Sequence, residues 1–242
     1  IFMPFLGHFK SLTILQHQIQ LSKQAKAILW QHIIKSKIHN QALLLQMQQR
    51  EEFKALESLA KGVKLADSTH NEAKAASLYF KALFGKDFSR KVQIFEDTQI
   101  GLINAALNYG YAIVRGMIVR SLCASGLNPA LGINHKNQFN AFNLADDLIE
   151  PYRVFVDSLV VEMYQGGELD TTLSLENRVR LAGVLSAAVM VEGKCYPLNR
   201  GSVMSVQSLA SAIQKSTFTL RLPIFCKDKS NGRYIYESAS DV

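Results

Sequence analysis

Residues 132–153, GINHKNQFNAFNLADDLIEPYR, set one histidine, His135, ahead of three carboxylates, Asp146, Asp147 and Glu150. Asp146 and Glu150 are four apart and share one face of any helix that carries them, while Asp147 is turned away by roughly 100°. Two chemistries fit these residue types. Acids in a first helical turn complement the helix dipole and need no ligand. Carboxylate oxygens with an imidazole nitrogen also suit a hard divalent cation, whose coordination shell is completed by water and phosphate oxygens. Taken alone, the segment leaves both open. His135 follows a Gly-Ile-Asn turn and belongs to a loop, where a histidine is commonly just solvated.

A further acid, Glu72, stands in Thr69-His70-Asn71-Glu72, a Ser/Thr-x-x-Glu capping box in which it would serve only its own helix. Basic residues are spread over several segments, from Lys35, Lys37 and Lys54 to Arg115 and Arg120, and most read as solvated faces. Three of them adjoin the candidate ligands: Lys74 beside Glu72, Lys136 beside His135 and Arg153 beside Glu150. Acids that hold a metal and cations that hold the same phosphate would suit a polyanionic substrate. No phosphate loop, dinucleotide-binding glycine motif, nucleophile elbow or His-Glu-x-x-His motif occurs.

The 242 residues carry 48% hydrophobic side chains, enough for a sizeable core. The 27 Lys and Arg against 20 Asp and Glu give a net charge of +7, which favours nucleic acid or an anionic membrane surface as partner. Cys123, Cys195 and Cys226 are odd in number and far apart, so neither a disulfide framework nor a zinc knuckle is expected. A reducing cytoplasm fits. The first residues, IFMPFLGHFK, lack the layout of a signal peptide, and no run of eighteen apolar residues is uninterrupted, so neither secretion nor a membrane span is expected. The opening reads as if it began inside a larger protein.

Positioning these groups falls to helices. Residues 11–49, nearly free of Gly and Pro, predict a long helix with room for one break, and 50–61 a second that stops near Gly62. The capping box opens a third that ends at Gly85. After a loop over 85–99, the stretch 100–124 is apolar nearly all round and predicts the central buried helix. Asn143 is the expected N-cap of a helix running to Met163 and kinked by Pro151. Helices are also expected over 175–191 and 202–215. The tail holds β-branched and aromatic residues around Ser230-Asn231-Gly232-Arg233 and predicts a hairpin or extended arm.

Three blocks together resemble a known family. LNYGYAIVRGMIVRSLCASGLNPALGINHKNQFNAFNLADDLIEPYRVFVD (107–157) resembles the signature of the CRISPR-associated spacer-acquisition integrase, in its type II branch. LWQHIIKSKIHNQA and NEAKAASLYFKALFG resemble two further blocks of that family, in the same order, and the likeness extends from Gly7 to about Leu222. The resemblance implies a mainly α fold: a helical catalytic domain of about seven helices over 10–222, the end of an N-terminal β-rich domain or its linker over 1–9, and a C-terminal arm or hairpin over 223–242.

It also implies a site. The family's motif glutamate carries over to Glu72, its histidine to His135 and the acid of its Asp-Leu-x-Glu/Asp element to Glu150, with Asp147 the neighbouring acid and Asp146 an auxiliary candidate. Many relatives have aspartate where Glu150 stands. The implied cofactor is Mg²⁺ or Mn²⁺, and the implied partners are double-stranded DNA (spacer precursor and leader–repeat target), a second copy of the chain, and a small ferredoxin-like subunit in a heterohexamer. The implied reaction is insertion of short foreign DNA into a repeat array by 3′-hydroxyl attack on a phosphodiester, in a prokaryotic cytoplasm. Two rivals stand beside it: a metal-dependent nuclease for branched DNA with water as nucleophile, and a catalytically idle DNA-binding assembly subunit whose acids are only caps.

Overall fold

In the computed structural model, residues 11–90, 98–169 and 172–226 are described. The N-terminal remnant expected over 1–9 and the turn at 230–233 lie outside them. The first long helix is indeed broken once, into α1 (Ser11–Ile19) and α2 (Lys23–Met47). Ser22 causes the restart: its backbone is extended and its hydroxyl accepts the Ala25 N–H, satisfying one of the amides that a helix start leaves open. α2 buries Leu29, Trp30, Ile33, Ile34, Ile38, Leu44 and Leu45, the i, i+3, i+4 stripe of a core helix. α3 (Phe53–Lys61) and α4 (Asn71–Phe84) pack on it.

α5 (Gln99–Ala124) is the central apolar helix, as its composition requires. It is long and apolar enough to cross a membrane, yet more than half of its apolar window is buried inside the protein. The expected helix over 143–163 is divided at Pro151 into α6 (Asn143–Leu148), a 3₁₀ turn (Glu150–Tyr152) and α7 (Arg153–Gln165). α7 crosses α5 at Gly110, where a Cβ would run into the Val156 side chain.

The helix expected over 175–191 is half wrong. α8 (Leu175–Ala182) is followed by a 3₁₀ turn (Gly183–Ser186) and then by β1 (Ala188–Val191), which pairs antiparallel with β2 (Lys194–Pro197). The reason is local: Val189 and Val191 alternate into the core, and Glu192 and Gly193 both take positive φ in the tight turn between the strands. α9 (Leu198–Lys215) follows, four residues earlier than expected, and β3 (Ile224–Phe225) completes a sheet of order β2-β1-β3. The described residues are thus mainly helical, with one small sheet.

Candidate active site

Glu72 is not the end of a capping box. His70 occupies the cap in a left-handed conformation without a side-chain cap bond, and Asp67, also left-handed, reaches over to accept the N–H groups of Asn71 (2.9 Å) and Glu72 (3.0 Å). Asp67 supplies the negative group the helix start needs, and the Glu72 side chain is free for other work. It points to α2, where its Oε1 accepts from Lys37 Nζ at 2.7 Å.

The same ammonium lies 2.6 Å from Glu150 Oε2. Glu150 sits on the 3₁₀ turn that Pro151 imposes, nearly buried, and its Oε1 accepts from Arg153 Nε at 3.0 Å. Its Oε2 meets Lys37 as an ion pair and lacks a partner with hydrogen-bond geometry. Burial opposes ionisation of Glu150, but the charges of Arg153 and Lys37, with the Arg153 hydrogen bond, outweigh it and lower its pKa to about 2. Burial likewise opposes the charge on Lys37, and Glu150 and Glu72 together raise its pKa above the ordinary value. Two acids distant in sequence therefore converge on one cationic centre.

His135 is held by Asp147. This fully buried carboxylate accepts the backbone N–H groups of Ile133 (2.5 Å), Asn134 (3.0 Å) and His135 (3.1 Å), and stands 2.7 Å from His135 Nδ1. Three backbone donors already treat both of its oxygens as acceptors, so Nδ1 carries the proton and Nε2 offers the lone pair when the ring is neutral. The Asp147 hydrogen bond raises the His135 pKa against the opposing effect of burial, with smaller contributions from the charges of Asp147, Glu150 and Asp146. Trp30 meets the ring edge-on, with centroids 5.9 Å apart. Gly132 permits the loop, because a Cβ there would collide with the His135 carbonyl and crowd Asp147 Oδ2.

The remaining sequence candidates lie apart. Asp146 shares no partner with Glu150 despite their spacing. It forms a two-pronged pair with Arg115 (2.6 and 2.8 Å) and accepts from Asn140. Asn143 is not a cap; its amide donates to the carbonyls of Ala130, Asn137 and Asn140 and pins the loop that carries His135. Lys74 donates to the Thr69 carbonyl at 3.0 Å and Lys136 is exposed, whereas Arg153 is bound to Glu150 and stacks 4.6 Å from the Tyr111 ring centroid. Among the described residues no three of His, Cys, Asp and Glu already stand as a ligand cluster. The donor chemistry nevertheless suits a divalent ion: Glu72 and Glu150 meet at one cation, Glu150 Oε2 keeps unused acceptor capacity, and His135 has its tautomer fixed by a buried carboxylate.

A cavity of about 450 Å³ opens beside Glu150, lined among others by Lys37, Lys81, Arg90, Arg153, Phe80 and Tyr111. Asp157, which also lines it, is buried and accepts from Tyr79 (2.8 Å) and Tyr111. Burial raises its pKa to about 6 against the lowering effect of both hydroxyls. In the sequence Lys37 is only one of many scattered basic residues, and Asp67 and Asp157 are not marked at all. Lys37 alone left a signal, since it falls on the apolar stripe of α2 between Ile34 and Ile38, where a solvated lysine has no place.

Fold and site together define a helical protein with a paired-acid centre beside a cationic cleft. A family model described as CRISPR associated protein Cas1 matches residues 2–188, and the chain belongs to that family. It is similar to a CRISPR-associated endonuclease Cas1 of Neisseria meningitidis, 35% identical over 227 residues, covering 91% of this chain and 71% of the relative. It is 28% identical over 162 residues to one from Pyrobaculum aerophilum, with 66% and 53% covered. Among solved structures it shares its fold with a casposase bound to integration product (TM-score 0.70, 20% identity, 88% of this chain and 71% of that one). A CAS1 protein from Thermotoga maritima gives a TM-score of 0.66 at 14% identity, with 87% and 70% covered.

Proposed function

We propose that this chain is the catalytic subunit of a metal-dependent DNA integrase that joins short DNA into a repeat array. The observation that carries the reading is the convergence of Glu72 and Glu150, from different elements, on one buried cationic centre next to a cleft of arginines and lysines. Glu72, Glu150 and Nε2 of His135 would hold Mg²⁺ or Mn²⁺. Such an ion, when bound, supplies Lewis acidity to a phosphodiester oxygen.

The chain's own residues do the rest. Arg153, Arg90 and Lys81 line the cleft in which a phosphodiester backbone fits, and they offset charge that develops on the reacting phosphate. Asp147 keeps the His135 ring in one orientation, and Arg153 does the same for the Glu150 carboxylate. In this reading the protein need not supply a covalent nucleophile: the attacking group is a 3′-hydroxyl of the incoming DNA, aligned rather than activated by the protein. Two structures of similar fold are of Cas6-RT-Cas1–Cas2 complexes (TM-scores 0.70 and 0.71, 20% identity). Their likeness supports assembly of this chain with a small partner subunit; a second copy of the chain, double-stranded DNA and a prokaryotic cytoplasm belong to the same proposal through the family resemblance.

A strand-transfer assay in Mn²⁺ tests the reaction. A donor ending in a 3′-hydroxyl should be joined to the target, and the same donor blocked at the 3′ end should not. Cleavage of branched DNA that is indifferent to the block would favour the nuclease reading. Full activity of Glu72→Gln, His135→Ala and Glu150→Gln would favour the idle-subunit reading.

A further inference from the structure

Lys37 Nζ occupies the point toward which the proposed metal ligands converge, 2.7 Å from Glu72 Oε1 and 2.6 Å from Glu150 Oε2. A divalent ion on the same two oxygens would stand within a few ångström of a buried ammonium, and two cations so close repel strongly where water cannot screen them. One of them must give way. Lysine is the mobile one, a compact charge on a flexible four-carbon stem.

A destination is already built. Gln41 lies four residues further along α2, hence on the same face one turn away, and is nearly buried. Its Oε1 is a buried acceptor with no hydrogen-bond partner among the described residues. Buried amide oxygens are seldom left so, because each unmet acceptor is destabilising. Gln41 and Lys37 line the same cavity of about 450 Å³, which gives the side chain room to swing.

We propose that Lys37 is a two-position lysine: it bridges Glu72 and Glu150 while no divalent ion is present, and turns to Gln41 Oε1 when an ion takes those carboxylates. The inference rests on the metal reading above. Lys37 is a positioning residue in this account. It holds the two like-charged acids together in the empty state, and its departure fits the site to the ion. Gln41 sets how readily it leaves.

Isothermal titration of the DNA-free full chain with Mn²⁺ tests this, using Lys37→Met, Gln41→Leu and the double variant. Lys37→Met should bind Mn²⁺ about tenfold tighter, since the competitor is gone, which corresponds to about 1.4 kcal/mol. Gln41→Leu should bind it several-fold more weakly while Lys37 is present, and should change nothing in the Lys37→Met background. That non-additivity is the signature of a shared lysine and would not arise from two separate structural effects. Gln41→Leu leaves the acids and their counter-ion untouched, so it reports even if Lys37→Met unfolds. Equal Mn²⁺ affinity in wild type and both single variants overturns the two-position lysine and leaves the metal reading standing. Absence of Mn²⁺ binding in wild type and in all variants overturns both.

Discussion

Asp147 Oδ1 stands 2.7 Å from His135 Nδ1 and 3.1 Å from the His135 backbone nitrogen, so one buried carboxylate fixes both the ring and the main chain of the same residue. Replacing Asp147 by Asn should therefore do two things. It turns a group that only accepts into one whose NH₂ faces backbone donors, which should cost about 3 kcal/mol of stability in urea unfolding. It also releases the ring, so the Nδ1–H signal of His135 should disappear from the nitrogen-15 spectrum. A retained signal with unchanged stability would show that Asp147 does not orient the histidine.

The loop ahead of His135 depends on Gly132 for space. Gly132→Ala puts a methyl into the His135 carbonyl and against Asp147 Oδ2, so the loop must move while the helices need not. Strand transfer should fall by about a hundredfold, the scale on which a misplacement of about 1 Å acts, with only a small change in the unfolding midpoint. Unimpaired joining would mean that His135 has no required position.

Stability against pH follows from two buried carboxylates with opposite shifts. The folded pKa of Glu150, about 2, lies below its ordinary 4.5, so its contribution is complete above pH 4.5 and is lost as pH falls from there toward 2. Glu150→Gln should remove that acid-limb slope in the metal-free protein. The folded pKa of Asp157, about 6, lies above its ordinary 3.8, so its ionisation destabilises above pH 6, and stability returns as pH falls from 6 to 3.8. Asp157→Asn should flatten the profile over that window and gain up to about 3 kcal/mol at pH 8, a shift of about two pKa units. Identical urea midpoints for wild type and variant across pH 4–8 would contradict this.

The pairing of Asp146 with Arg115 and Asn140 predicts a structural role for this acid. Asp146→Ala should lower stability by about 1–2 kcal/mol, as expected for a part-buried charge-assisted pair. Mn²⁺ affinity should be unchanged. A loss of Mn²⁺ binding comparable to that of Glu72→Gln would return Asp146 to the ligand set.

The helices were legible because their signals are local. Apolar periodicity marked α2 and α5, Pro151 marked the break before α7, and Gly85 marked the end of α4. The strands at 188–197 were not legible as strands, since a short apolar run looks alike in a buried helix and a buried sheet until its turn is recognised. In the same way the pattern Thr69-x-x-Glu72 looked like a capping box, and only the left-handed fold of Asp67 and His70 shows that the cap comes from elsewhere. At the site, the individual acids and the histidine could be picked out by residue type and by family resemblance. Their partners could not: Lys37 lies 35 residues from Glu72, and Tyr79 lies 78 from Asp157, and pairings across such separations are set by helix packing rather than by spacing.

Glu72, His135 and Glu150 are proposed to form one divalent-ion site. Anomalous diffraction from crystals soaked in Mn²⁺ tests it most directly. The expected map shows one strong peak shared by those three side chains, with Lys37 withdrawn toward Gln41. A peak on Asp146 or Asp147 instead, or none near Glu72 and Glu150, would contradict it.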